Sequence, residues 1–210
     1  VLAAEAVRRG GTVLLGHTLD DQAENVLLGL ARGSGVRSLA GMAVRTGPYL
    51  RPMLSVSRAT TVQACAELGL SPWQDPHNAD IAYARARVRA RVLPVLEQEL
   101  GPGIAAALAR TAQLARDDAD LLDALAAEAH PDTDTLDCSL LDRTPAALRR
   151  RVIRRWLIGH GAVEVTHHHV LRVDELITQW HGQRGADLPG VQVIREHGQL
   201  RCLADPGVAG

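Results

Sequence analysis

Apolar positions along this chain recur in two registers, and the changes of register mark its elements. Thr12 to Gly16 (Thr-Val-Leu-Leu-Gly) is a short apolar run behind Gly10-Gly11, which predicts a buried strand. After it, Ala23, Val26, Leu27, Leu30 and Ala31 fall at i, i+3, i+4, i+7 and i+8. That is one face of a helix, expected from about Asp20 to Arg32. Ahead of the strand, Leu2 to Arg9 reads as a helix stopped by Gly10-Gly11. Tyr49 to Leu54 is a second expected strand, with Pro52 confining it to an edge or an end. Ser57 then caps a helix through Val62, Ala66 and Leu70, with Gly69 as its stop and Trp73 expected in a core or hinge. Helix alternating with strand predicts an α/β fold on a parallel sheet.

The remainder is dominated by helical periodicity. Asp75 to Asp80 is a turn-rich linker, with Asn78 or Asp80 able to cap the next element. From Ala84 to Val92 small or apolar residues alternate with Arg, a two-residue period, but Ala and Arg favour a helix that Pro94 kinks or restarts. On that helix Arg85/Arg89 and Arg87/Arg91 form two stripes about 160° apart. One stripe could serve a ligand while the other pairs with acids or faces water. Ile104 to Ala129 predicts a long amphipathic helix through Ala105, Leu108, Ala112 and Ala115, with Asp117, Asp118, Asp120 and Asp123 on its solvated face. His130 to Thr135 reads as a linker at a domain boundary. Pro145 opens a helix to Ile158 with Val152, Ile153, Trp156 and Leu157 inward. Arg150, Arg151, Arg154 and Arg155 lie on its other arc, open to solvent or to RNA backbone. Thr166 caps a further helix whose Val170, Val173, Ile177 and Trp180 should pack inward. Val191 to Glu196 and Gln199 to Leu203 form a hairpin around His197-Gly198, and the chain is expected to fray at Asp205-Pro206-Gly207.

Composition changes this picture little. The 210 residues suffice for one large or two small domains, and a net charge of −1 makes no global case for nucleic acid. All 23 basic residues are Arg, concentrated at four of the seven positions from Arg85 to Arg91 and six of the thirteen from Arg143 to Arg155. Cys65, Cys138 and Cys202 are odd in number and far apart, which points away from a zinc or iron–sulfur framework and towards a reduced, cytoplasmic setting. No apolar stretch approaches the ~20 residues of a membrane span. His167-His168-His169, about 100° apart on a helix, cannot all bind one ion, and no metal site is expected there.

The candidate chemistry lies at the first strand-to-helix turn, His17-Thr18-Leu19-Asp20-Asp21-Gln22-Ala23-Glu24-Asn25. Ligands of open α/β sheets bind at that edge. Capping accounts for one acid there, and Asp21 with Glu24 has the spacing of a capping box. An imidazole and three carboxylates exceed what a cap needs. They could hold Mg²⁺ or an ammonium, or position a general base.

Gly16 to Glu24, with Leu30-Ala31-Arg32-Gly33-Ser34-Gly35, resembles the tRNA(Ile)-lysidine synthetase family of ATP-pyrophosphatase (PP-loop) enzymes. Asp75-Pro76-His77-Asn78-Ala79-Asp80, Arg85-Ala86-Arg87-Val88-Arg89, Leu93-Pro94 and Arg51-Pro52-Met53-Leu54 agree with it, His77 and Ala86 being departures from the family pattern. The likeness covers residues 1 to about 100 well and the rest loosely. The family's Ser-Gly-Gly-x-Asp-Ser phosphate loop does not occur, and the sequence starts at Val1 in what reads as mid-helix. The expectation is therefore a fragment holding the C-terminal half of the nucleotide-binding domain, unable alone to bind ATP tightly or to make lysidine.

The resemblance implies a PP-loop domain part over 1–75, a helical linker over 76–130 and a mainly α tRNA-binding domain with a β-hairpin over 131–210. It implies a ligase: ATP, with Mg²⁺, adenylates the wobble cytidine of isoleucine tRNA, and the lysine amine displaces AMP. By match to the motif, His17, Asp21 and Glu24 are assigned to the lysine and adenylate site, with Asp20 as a neighbour or cap. Arg32 is assigned to phosphate, and Arg85, Arg87 and Arg89 to the cytidine and tRNA phosphates. A homodimer is allowed. The rival readings are a sister PP-loop tRNA-modifying enzyme, a non-catalytic RNA-binding module and, more distantly, a metal hydrolase on His17, Asp20, Asp21 and Glu24.

Overall fold

The computed structural model describes residues 1–33, 35–129, 133–183 and 185–204. Ser34 of the Gly33-Ser34-Gly35 loop, residues 130–132 of the expected linker and the expected fraying end at Asp205-Pro206-Gly207 lie outside the described residues. The chain divides into two compact units, Val1–Ala119 and Asp120–Gly210.

In the first unit, helix α1 (Leu2–Arg9) ends at Gly10, whose φ of 60° suits a residue without Cβ, and Gly11 N–H returns to the Ala6 carbonyl at 2.9 Å. Strand β1 (Val13–Leu14) follows, then α2 (Leu19–Ala31), α3 (Val36–Leu39), β2 (Arg45–Thr46) and β3 (Tyr49–Leu50). The sheet order is β1-β3-β2, with β1 parallel and β2 antiparallel to β3. The second strand is shorter than expected. Arg51 N–H still bonds the Val44 carbonyl at 2.8 Å, but Pro52 has no N–H with which to continue the ladder.

Helix α4 (Arg58–Glu67) starts at Ser57, whose Oγ accepts from Thr60 N–H at 3.1 Å. It buries none of its side chains, and Leu68 and Leu70 just beyond it are exposed as well. Trp73 is accordingly 79% exposed, which corrects the expectation of a core or hinge residue. A 3₁₀ turn at Pro76–Asn78, capped by Asp75, leads into α5 (Ala84–Arg87), a π turn at Val88–Val92 and α6 (Leu93–Leu100). Pro94 cannot donate to the carbonyl four residues back, and the wider π turn before it absorbs that defect. Val88 and Leu93 meet Ala23 of α2 in a small core, with Leu27, Leu28, Ile104, Ala105 and Leu108 packed against it. Helix α7 (Ile104–Ala129) runs across the division between the units.

The second unit has a larger core. Its elements are β4 (Thr135–Asp137), α8 (Cys138–Arg143), α9 (Ala146–Gly159), α10 (His167–Thr178), β5 (Ala186–Leu188), β6 (Val191–Glu196) and β7 (Gln199–Ala204). The expected hairpin β6–β7 is the centre of a four-stranded antiparallel sheet in the order β4-β7-β6-β5. Val152, Ile153, Trp156 and Leu157 of α9 and Val170, Val173 and Ile177 of α10 are buried as their spacing predicts. Trp180 is not: it lies beyond the end of α10, is 38% exposed and carries the Arg195 guanidinium 5.1 Å above its ring. Thr166 does cap α10, accepting from His169 N–H at 3.3 Å. The arginine arc of α9 is not uniformly open either. Arg150 pairs with Asp174 at 2.9 Å, and Arg151 with Asp123 at 3.4 Å.

Candidate functional site

The turn after β1 is held by its own polar groups. Thr18 is the N-cap of α2, and its N–H and hydroxyl both donate to Asp21 Oδ2, at 2.8 and 2.9 Å. This closes a capping box one turn earlier than the expected Asp21–Glu24 pair: Thr18 is the cap and Asp21 the reaching carboxylate, which corrects the expectation that Asp20 or Asp21 caps the helix. Leu19 N–H bonds the Val56 carbonyl at 2.9 Å, which brings the start of α4 to the start of α2. Asp20 then reaches out of its own helix, accepting from Arg58 N–H at 2.6 Å. A cation in a helix's first turn opposes the helix dipole, and the Asp20 carboxylate there offsets it.

Asp21 and Glu24 lie one turn apart on α2, and Glu24 is fully buried. Two arginines bridge them. Arg89 donates from Nε to Glu24 Oε1 at 2.7 Å, and from Nη2 to Glu24 Oε2 at 3.0 Å and Asp21 Oδ1 at 3.2 Å. Arg58 donates from Nη2 alone, to Asp21 Oδ1 at 3.0 Å and Glu24 Oε1 at 3.2 Å. Arg85 approaches Glu24 Oε2 at 3.8 Å and bonds Asn25 Oδ1. Three carboxylates (Asp20, Asp21, Glu24) thus face three guanidiniums (Arg58, Arg85, Arg89).

Burial alone would raise the Asp21 carboxyl; the Thr18 N–H and hydroxyl, with the charges of Arg58 and Arg89, outweigh it and hold Asp21 below the ordinary carboxylate range. The hydrogen bonds to Glu24 raise Arg89 in turn, against its partial burial.

His17, at the carboxyl side of β1, is half-buried, and its Nδ1 is buried without a hydrogen-bond partner among the described residues. The assigned residues therefore fall into two sets. His17, Asp20, Asp21 and Glu24 share one turn, and Arg85 and Arg89 converge on it from the helix that starts at Ala84. Arg87 points elsewhere, donating to the Ile81 and Ala82 carbonyls at 2.8 and 2.7 Å, as the two-stripe geometry requires. Arg32 sits at the far end of α2, its Nε on the Leu28 carbonyl at 3.0 Å. Sequence reasoning missed Arg58. Its one local signal was a basic residue opening a helix directly after the capping Ser57.

The cluster does not fit a triphosphate or Mg²⁺. The first turn of α2 presents Asp20 and Asp21 where phosphate would need donors, and among the described residues no group of three or more His, Cys, Asp or Glu side chains is placed to hold a metal ion. It suits a ligand that brings nitrogen donors to carboxylates or acceptors to arginines.

Residues 1–96 match the model of the PP-loop domain, and residues 136–201 that of the TilS substrate binding domain. A PP-loop domain followed by this substrate-binding domain defines the class of the protein. Among curated relatives, the tRNA(Ile)-lysidine synthase of Mycolicibacterium paratuberculosis is 53% identical over 213 residues, covering 97% of this chain and 67% of that protein. Those of Thermobifida fusca and Leifsonia xyli are 53% and 54% identical, over 95% and 90% of this chain and 64% and 59% of theirs. The chain belongs to the tRNA(Ile)-lysidine synthase family, and it spans roughly three fifths to two thirds of the length of these relatives.

Proposed function

We propose that this chain supplies the lysine-handling part of an enzyme that uses ATP to ligate lysine to the wobble cytidine of isoleucine tRNA. The observation that carries the reading is the convergence of Asp21, Glu24 and Arg89 on the helix that follows β1 and His17. ATP, with Mg²⁺ as its counter-ion, supplies the activation of the cytidine; its phosphates are assigned to no residue here.

The residues present divide the work among them. Asp21 and Glu24 recognise the charged amine of lysine, which must then lose a proton before it can attack. The His17 imidazole, one residue before Thr18 and with its Nδ1 lacking a protein partner among the described residues, accepts that proton. Arg89 holds both acids in register and, with Arg85, presents charge to the cytidine or its phosphate. Asp20 ties the first turn of α2 to α4, Arg32 serves the tRNA backbone from outside the cluster, and Arg87, its Nη1 held by the Ile81 and Ala82 carbonyls, adds a weaker contact there. Residues 1–75, 76–130 and 131–210 serve as nucleotide-domain part, helical linker and tRNA-binding domain. The enzyme works in the cytoplasm. Among the described residues no helix is long and apolar enough to cross a membrane.

The test uses the whole protein that carries this sequence, with isoleucine tRNA, lysine and ATP, and nucleoside analysis of the product. Lysidine at the wobble position is the expected result, with His17→Ala slowed at saturating lysine. A whole protein that leaves the cytidine unmodified overturns the reading.

A further inference from the structure

We infer that Arg58 is a positioning residue of this site, setting the geometry of Asp21 and Glu24 through a single nitrogen; the inference rests on the lysine-ligating function proposed above. Arg58 lies 34 and 37 residues from the acids it bonds and on a different helix. Its Nη2 touches Asp21 Oδ1 at 3.0 Å and Glu24 Oε1 at 3.2 Å, the same two oxygens that Arg89 also engages. The remaining oxygens have other holders: Asp21 Oδ2 accepts from Thr18 N–H at 2.8 Å, and Glu24 Oε2 from Arg89 Nη2 at 3.0 Å. Two cations from separate segments therefore bridge the same pair of carboxylates.

Arg58 is itself placed by its backbone. Its N–H is held by Asp20 at 2.6 Å, and the adjoining Ser57 Oγ caps Thr60. Helix α4 has no buried side chain, so apolar packing does not set where Arg58 stands. The polar contacts with α2 do. A substrate ammonium that exchanges for one of these contacts meets carboxylates whose spacing Arg58 and Arg89 have set beforehand, and pre-set acceptors lower the cost of orienting a small cation.

The two arginines differ in a way that can be tested. Arg89 uses two nitrogens in a fork, which a lysine side chain cannot reproduce. Arg58 makes both contacts from one nitrogen, which a lysine ammonium can reproduce. In the whole protein, Arg58→Ala should raise the KM for lysine by about 10- to 100-fold, the range for lost hydrogen bonds to charged groups. Lysine-independent pyrophosphate release with ATP and tRNA should change much less. Arg58→Lys should restore the lysine KM to near the parent, whereas Arg89→Lys should not.

A parental lysine KM in Arg58→Ala overturns the inference while leaving the ligase reading intact. So does an Arg58→Lys variant that folds but behaves like Arg58→Ala. Equal losses for ATP, tRNA and lysine, tracking a fall in melting temperature, mark Arg58 as a fold anchor and also overturn it. A parent protein that makes no lysidine fails the underlying function instead, so the two failures are distinguishable.

Discussion

Each unit of this molecule encloses a carboxylate with arginines, and the two clusters are built differently. In the second unit, Asp174 of α10 takes Arg149 Nε at 2.5 Å and Arg150 Nε at 2.9 Å. Arg149 also donates to the Thr144 carbonyl at 2.8 Å, closing the gap between α8 and α9. This cluster is bordered by a large apolar core, and Arg149 and Asp174 are both buried, 8% and 4% exposed. It ties helices together. In the first unit, two carboxylates on one helix are bridged by arginines from two other segments, the neighbouring core is small, and Arg58 and Arg89 keep roughly a third of their side chains in solvent. A buried ion pair inside a packed core is a structural tie. A pair with open cations on the helix after a strand edge, next in sequence to an imidazole whose Nδ1 has no partner among the described residues, is a place where a ligand can exchange for a protein contact.

The largest expected effect breaks the structural cluster. Asp174→Ala leaves Arg149 buried without its counter-charge and should cost about 3–5 kcal/mol of stability, read as a lower denaturation midpoint for the second unit. Glu24→Gln should cost less, about 1–3 kcal/mol, because Arg58 and Arg89 can turn to water when their acceptor is weakened. Equal losses in the two variants would erase the distinction between the clusters.

The third prediction concerns pH. The Asp21 carboxyl is depressed in the folded state, so its contribution to stability is fully present above its ordinary pKa, near 3.8, and is lost as pH falls through the depressed folded value. The parent should therefore weaken along that acid limb, and Asp21→Asn should show a shallower dependence there. Identical acid limbs in parent and variant would mean that Asp21 is not held by Thr18, Arg58 and Arg89 in solution.

The smallest effect falls at Arg85, whose side chain is 42% exposed. If it meets a tRNA phosphate, Arg85→Ala should reduce the slope of log affinity against log salt by about 0.7–0.9. Arg87→Ala should change it less, since that guanidinium is committed to the Ile81 and Ala82 carbonyls. An unchanged slope for Arg85→Ala removes the phosphate contact from that residue.

Local signals carried much of the fold. The end of α1 at Gly10, the helix after His17, the Ser57 and Thr166 caps and the β6–β7 hairpin all arise from turn chemistry and periodicity within a few residues. What stayed hidden was non-local or too short to have a period. Strands β4 and β5 are three residues each and owe their conformation to the hairpin beside them. Arg149 was legible in principle: it sits three and four residues before Val152 and Ile153, on the buried face of α9. Hydrophobic periodicity passes over a buried arginine because its partner, Asp174, is 25 residues away. At the candidate site, the motif residues His17 to Glu24 were visible, and the two-stripe geometry separated Arg85 and Arg89 from Arg87. The acids that the first stripe meets were not, and neither was Arg58, because contacts spanning 34 to 68 residues leave no local pattern.

The most direct measurement is the lysine dependence of lysidine formation by the whole protein, for Glu24→Gln beside Asp174→Asn. Glutamine keeps the shape of Glu24 but removes the charge offered to an ammonium. A lysine site on α2 predicts that Glu24→Gln raises the lysine KM or lowers kcat/KM for lysine by about 10- to 100-fold, while Asp174→Asn loses stability and keeps the lysine KM of the parent. Equal lysine KM values in parent and Glu24→Gln would contradict it, and would make the cluster on α2 a structural tie like the one on α10.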